Sequence, residues 1–198
     1  MSDFEKLNKK SYSFSSCDNC EAECCDGSKN ILYSQIVLED FEKIVKYFPI
    51  LFTIGNRGYL RPVVLLTNGK DFCKYINNFK CSIYENRPSI CRIYPFSPCL
   101  DDEVYIDNSC PAVTFEDKER VDNIKIIEKF KNPILTDYTN KYIETFSEFK
   151  QYNTEENIEL AVVINSEKFY KFNKDFNNPY VKLHLQSLLH LNDDYFKN

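Results

Sequence analysis

Tryptophan is absent from this chain of 198 residues, methionine occurs once, histidine twice and glycine four times. So few glycines leave no glycine-rich loop after a strand of the kind that a conventional methyl-donor or nucleotide fold shows. The two histidines, His184 and His190, lie far along the chain, so any metal bound in the first half is held chiefly by sulfur. That argues against the mixed histidine and carboxylate shells of hydrolytic zinc and non-haem iron. No apolar run approaches the roughly 20 residues of a membrane-spanning helix, Pro62–Leu66 being the longest, and a soluble protein without membrane contact is expected. The opening stretch Met1–Lys10 is charged throughout and has no apolar core of an export signal, which points to the reducing cytoplasm. The net charge is −5 and the basic residues form no stripe, which argues against a nucleic-acid surface. Finally, cysteine does not occur after Cys110.

What is present is the counterpart of that last absence. All nine cysteines fall between Cys17 and Cys110. Four are grouped as Cys17-x2-Cys20-x3-Cys24-Cys25, and Cys73, Cys81, Cys91, Cys99 and Cys110 follow. Thiols this crowded in a reducing compartment hold metal rather than disulfides. On a helix, Cys17, Cys20 and Cys24 would share one stripe, with Cys25 about 100° away, serving another ion or another corner of one cluster. All-sulfur ligation selects structural zinc or an iron–sulfur cluster. Two plainer readings compete. Cys17-x2-Cys20 as a redox pair lacks the flanking strand and helix of thioredoxin-like motifs, and isolated buried cysteines can act as small hydrophobes. Of five arginines, Arg57, Arg61, Arg87 and Arg92 lie in the same half, where their forks can donate to negatively charged sulfur or form surface ion pairs.

The remaining pattern predicts an α+β chain. Residues 1–16 form a polar, irregular N-terminal segment, 17–113 a small cysteine-bearing metal-binding domain with short strands and helices, and 114–198 a mainly helical extension. Asn30–Tyr33 and Tyr59–Thr67 read as strands. Val37, Phe41, Ile44, Val45 and Phe48 mark an amphipathic helix ending before Pro49. Asn77-Asn78 is the turn of a hairpin that brings Cys73 near Cys81, and Pro88 opens a short helix bearing Cys91 and Arg92. Val104–Ile106 reads as a strand that delivers Cys110. Thr114–Asp117 resembles a capping box before a helix carrying Val121, Ile124 and Phe130, and further helices are expected over Ile134–Tyr152, Glu155–Phe172 and Tyr180–Asn192. Tyr84, Tyr94 and Phe96 are expected to pack around the site. The helical half is where a protein partner would dock.

One block is more specific than these patterns. Cys81-Ser-Ile-Tyr-Glu-Asn-Arg87-Pro88-Ser-Ile-Cys91-Arg92-Ile-Tyr94-Pro95-Phe96, with Cys17-x2-Cys20-x3-Cys24-Cys25 and Phe72-Cys73 before it and Cys110-Pro111 after it, closely resembles the YkgJ-like cysteine-cluster family. The resemblance implies a zinc- or iron-chelating domain with Cys17, Cys20, Cys24, Cys25, Cys73, Cys81, Cys91 and Cys110 as ligands, Arg87 and Arg92 beside the bound group, and Cys99 outside the set. Eight ligands admit two tetrahedral sites, one multinuclear cluster, or one cubane with four cysteines left for other roles. The function implied is a metal-binding carrier or scaffold module. A branch similar to the flagellin lysine-N-methylase FliB implies an alternative, an iron–sulfur-dependent protein lysine methyltransferase.

Overall fold

A computed structural model of the chain describes residues 4–6, 13–14, 20–29, 31–55, 58–98, 104–114, 137–154, 156–191 and 195. In chain order its strands are β1 (Phe4–Lys6), β2 (Ser13–Phe14), β3 (Tyr33–Gln35), β4 (Ile50–Ile54), β5 (Leu60–Leu65), β6 (Ile76–Asn77), β7 (Lys80–Cys81), β8 (Phe96–Pro98), β9 (Val104–Asp107), β10 (Val113–Thr114), β11 (Ile158–Ile164) and β12 (Glu167–Phe172). The helices are α1 (Phe41–Ile44), α2 (Ser89–Ile93), α3 (Tyr138–Lys150) and α4 (Pro179–Ser187).

Ile50–Phe52 and Val63–Leu65 are buried on both faces, and they form the middle of an antiparallel sheet of order β11-β12-β4-β5-β3. β4 and β5 pair in the register Ile50↔Val64 to Ile54↔Leu60, whereas β12 meets β4 at Tyr170↔Phe52. That narrow junction is reinforced by His184 from α4. The Phe172 N–H donates to His184 Nε2 at 3.1 Å, which puts the ring proton on Nδ1, where it donates to the Ile50 carbonyl at 2.7 Å. Both ring nitrogens are thus satisfied in the neutral form, and burial holds the imidazole down at about 4. Ser187 adds a bond by accepting from the Ile50 N–H at 2.8 Å.

One sheet face packs Phe52 against Phe149 of α3 and Phe172 of β12, with ring centroids 4.9 and 4.7 Å apart. Phe41, Ile44 and Phe48 join this cluster, as does Cys73. The other face gathers Leu51, Val63 and Leu65 with Val162, Ile164, Phe169 and Tyr195. A separate three-stranded sheet, β1-β9-β8, carries Val104, Ile106 and Phe96 into a smaller core with Ile93 and Cys110.

Several expectations change here. Where a helix is expected over Glu155–Phe172, Ile158–Ile164 and Glu167–Phe172 instead pair as a β-hairpin. Its run of Ile158, Val162, Val163 and Ile164 suits a pleated surface, and Asn165 and Ser166 both take positive φ, 49° and 68°, as a tight hairpin turn requires. The described C-terminal part therefore mixes two helices with this hairpin, and the central sheet draws strands from both sides of Val113. The amphipathic helix over Val37–Phe48 shrinks to the 3-10 turn Leu38–Asp40 and α1. Phe4–Lys6, expected to be irregular, pairs with β9. β4 went unread because Ile50–Ile54 is too short and too uniformly apolar to show a period. The capping box and the helix after it lie outside the described residues.

Candidate metal centre

The Cys24–Cys25 step sits in a strained corner rather than on a helical stripe. Ala22 takes φ 57°, which ends any continuous helix through Cys20, and Glu23–Cys25 is a single 3-10 turn. This corner is strapped to the segment before Cys73: the Cys73 N–H donates to the Cys25 carbonyl at 2.8 Å and the Gly27 N–H to the Asp71 carbonyl at 3.1 Å. A Cβ on Gly27 would lie 2.6 Å from the Asp71 oxygen, so the close approach requires glycine there. Buried Asp26 fixes the exit, its Oδ1 accepting from the Ser28 N–H at 2.9 Å and the Ser28 hydroxyl at 2.7 Å.

Cys73 leads into the β6–β7 hairpin, where Ile76 pairs with Cys81. The turn lies one residue later than expected, at Asn78 and Phe79, both at positive φ. Cys91 sits on α2, whose start is tied down by buried Asp40: one carboxylate oxygen accepts from the Ser89 N–H at 3.2 Å and the other from the Val37 N–H at 3.4 Å. Cys110 follows a second aspartate clip. Asp107 Oδ1 accepts from the Ser109 N–H and hydroxyl at 3.0 and 2.6 Å, and its Oδ2 accepts from the Tyr94 hydroxyl at 2.9 Å. The same Asp-x-Ser device thus follows Cys25 and precedes Cys110.

These loops bring the thiols of Cys24, Cys25, Cys73, Cys81 and Cys91 within electrostatic reach of one another. Cys25 is held well above the ordinary thiol range, first by its hydrogen bond with Cys24, then by burial and by Cys24, Cys91 and Cys73. Burial pushes Cys73 up to about 11, and burial together with Cys73 and Cys24 raises Cys91 further. Cys24 moves down, through the hydrogen bond from Cys25 and, more weakly, the Arg87 guanidinium. Arg87 stacks 3.5 Å above the Tyr84 ring and donates from Nε to the Tyr84 carbonyl at 2.9 Å. Tyr94 connects Cys110 to the group, since its hydroxyl senses both Cys110 and Cys24 after burial and Asp107.

The described cysteines, Cys20, Cys24, Cys25, Cys73, Cys81, Cys91 and Cys110, form no disulfide. Among the described residues no three Cys, His, Asp or Glu groups already stand at the separations of a filled ion site. The donor set nevertheless fits a thiophilic cation. The Cys24 and Cys25 sulfurs are 3.9 Å apart, and a tetrahedral ion with sulfur at about 2.3 Å places neighbouring sulfurs about 3.8 Å apart. A cation would also supply the opposite charge that these crowded thiols lack. Residues 16–111, about half the chain, match the model of a family described as "CxxCxxCC: Putative zinc- or iron-chelating domain". The stretch belongs to the CxxCxxCC family. No solved structure matches the chain.

Within the CxxCxxCC domain the placement of the expected site residues is uneven. Cys24, Cys25, Cys73, Cys81 and Cys91 come together, Cys110 joins through Tyr94, and Cys20 is half-buried at the start of the described stretch. Cys17, Cys99 and Arg57 lie outside the described residues. Arg87 faces the thiols of Cys24 and Cys91, whereas Arg92 is exposed. Phe96 is buried and Tyr94 half-buried as expected, but Tyr84 is 52 % exposed and forms an outer wall under Arg87 rather than core. Asp26, Asp40 and Asp107 were not anticipated. The Asp-x-Ser spacing beside a cysteine was the legible signal for two of them, and nothing local marks Asp40, which acts across 49 residues.

Proposed function

We propose that the CxxCxxCC domain holds zinc or iron through Cys24, Cys25, Cys73, Cys81 and Cys91, with Cys17, Cys20 and Cys110 completing the set. In this reading the chain works in the cytoplasm as a metal-binding carrier or scaffold module. The observation that carries the reading is the convergence of thiols from three separate segments, Cys24–Cys25, Cys73–Cys81 and Cys91, into one crowded group with Arg87 against it. The 3.9 Å sulfur separation lets Cys24 and Cys25 share one tetrahedral ion, zinc or iron, rather than hold separate corners of a cubane. When bound, the metal would supply charge neutralisation and a cross-link between loops that carry little regular structure. The chain's own residues orient the ligands: Asp40 holds α2, the Asp26 and Asp107 clips hold the two flanking loops, and Arg87 offsets thiolate charge. The methyltransferase alternative rests on the resemblance alone, and every sheet among the described residues is antiparallel.

The test is metal analysis of protein purified without air. Stoichiometric zinc in a colourless protein fits this reading, a brown protein with sulfide-to-iron absorbance selects the iron–sulfur form, and neither metal at any stoichiometry sinks it. Cys24→Ser or Cys91→Ser should lower the metal content, because ligand loss and local folding are linked.

A further inference from the structure

On the sheet face opposite the cysteines, two buried polar atoms have no hydrogen-bond partner: Thr53 Oγ1 and Arg61 Nε. They are not scattered. Thr53 of β4 and Arg61 of β5 are direct cross-strand partners, and both continue the alternation that places Leu51, Val63 and Leu65 on this face. Thr53 is only 4 % exposed and Arg61 is half-buried, with its Nε shielded from solvent like the Thr53 hydroxyl. An orphaned hydroxyl and an orphaned guanidinium N–H each cost about 1–3 kcal/mol when buried without an acceptor. Two such donors side by side describe one missing acceptor.

The surroundings define its character. Gly55 borders the spot, and a Cβ there would stand 3.2 Å from Arg61 Nε and 3.3 Å from the Tyr59 ring, so any larger residue would press on the guanidinium. Gln35 of β3, opposite Val63, lies diagonally beside Arg61 on the same face. Burial pushes the Tyr33 phenol up, Glu167 adds to this and Arg61 opposes it, which puts both charges within reach of the Tyr33 hydroxyl. Arg61 likewise opposes the upward shift that burial and Tyr59 give Tyr142. Lys171, the nearby cation of β12, is already paired with Glu159 at 3.0 Å. One unpaired arginine with one glutamate at the rim suits a single negative charge and disfavours a dianion.

We propose that Thr53 and Arg61 form the floor of a binding site for a small molecule bearing one carboxylate, whose oxygens accept from the Thr53 hydroxyl and Arg61 Nε–H. The site is separate from the thiols and needs no metal.

The probe is sodium acetate, with sodium chloride as the ionic-strength control and inorganic phosphate as the competitor. Binding is read from the arginine Nε–H resonances, with the Arg61 signal assigned by its loss in Arg61→Lys. Acetate should shift that signal saturably in the wild-type protein. Thr53→Val, which keeps the shape and removes the hydroxyl, should weaken the response about tenfold. In chloride alone, Thr53→Val should leave the melting temperature unchanged or raise it, because an unsatisfied donor has gone. Three outcomes overturn the proposal: a shift that does not saturate, equal acetate binding by Thr53→Val, or a lower melting temperature for Thr53→Val in chloride, which would show the hydroxyl already satisfied by fixed water. Tighter binding of phosphate than of acetate would overturn the assignment to a singly charged carboxylate.

Discussion

The central sheet and the cysteine-bearing loops are built on different principles, although they share one apolar cluster. The sheet side buries carbon: Phe41, Phe48, Phe52, Phe149 and Phe172 are all at or below 2 % exposure. The cysteine side uses a 3-10 turn, two-residue strands, a five-residue helix and aspartate clips, with thiols where a core would place hydrocarbon. A sheet of this kind draws its stability chiefly from buried apolar surface. Crowded thiols, whose ionised forms repel one another, are held by short local bonds until something neutralises them. The difference teaches that stability and function are divided in this chain: one region supplies a rigid wall, and the other is set against it through Cys25, Cys73 and Cys91 at the edge of the same cluster.

Four substitutions or conditions test that division. The largest effect should come from the wall. Phe52→Ala removes the ring that touches both Phe149 and Phe172 and should cost about 3–5 kcal/mol by urea denaturation. Metal bound per folded chain should stay constant; if it falls in parallel, the two regions are one unit. The next concerns acid. Folded His184 titrates at about 4, against roughly 6.5 in an unfolded chain. Between those values the unfolded state takes up a proton that the folded state refuses, so this stability is complete above about pH 6.5 and is lost as pH falls toward 4, by about 3 kcal/mol at most. Urea midpoints at pH 7 and pH 5 should differ in the wild-type protein and converge in His184→Phe. An unchanged pH dependence in that variant would move the acid-sensitive element to the cysteine side.

Asp40→Ala sharpens the boundary between the regions. Leaving the Val37 and Ser89 N–H groups without their carboxylate should cost about 1–3 kcal/mol and loosen α2. Metal content should fall more than it does in Phe52→Ala, as atomic absorption on the folded fraction would show. The smallest contrast is between two arginines. Arg92→Ala changes an exposed side chain and should alter stability by less than about 0.5 kcal/mol. Arg87→Ala removes the cation over Tyr84 and beside Cys24, and should weaken metal retention in a chelator competition while Arg92→Ala does not.

The same contrast explains what could be read from the amino acids alone. The thiols that come together are legible, since Cys24, Cys25, Cys73, Cys81 and Cys91 are chemically conspicuous and the spacing around Asn77-Asn78 and Pro88 implies a hairpin and a short helix. The mixed α+β character is legible as well, because Leu60–Leu65 is rich in Val and Leu and is closed by Asn68-Gly69, and Tyr138–Lys150 falls inside an expected helix. What failed did so where partners are distant. Ile158–Phe172 carries enough charge between its apolar residues to imitate a helical face; its two strands pair with each other across Asn165-Ser166 and join the sheet only at Tyr170 opposite Phe52, more than a hundred residues away. Ile50–Ile54, buried on both sides as far as Thr53, has no polar alternation to reveal it. Asp40 reads as one more acidic residue on a helix until Ser89 is placed against it.

The position of β4 has a practical consequence for anyone who would excise the cysteine-rich segment. Its neighbour on one side, β12, is synthesised only after residue 166, so a fragment trimmed to 16–111 carries β4 as a raw border. Ile50, Leu51 and Phe52 would then offer unpaired amides and carbonyls beside naked hydrocarbon, the combination that recruits a second copy edge to edge. Such a truncation should elute as multimers on size exclusion at concentrations where the intact chain does not, whatever metal it carries.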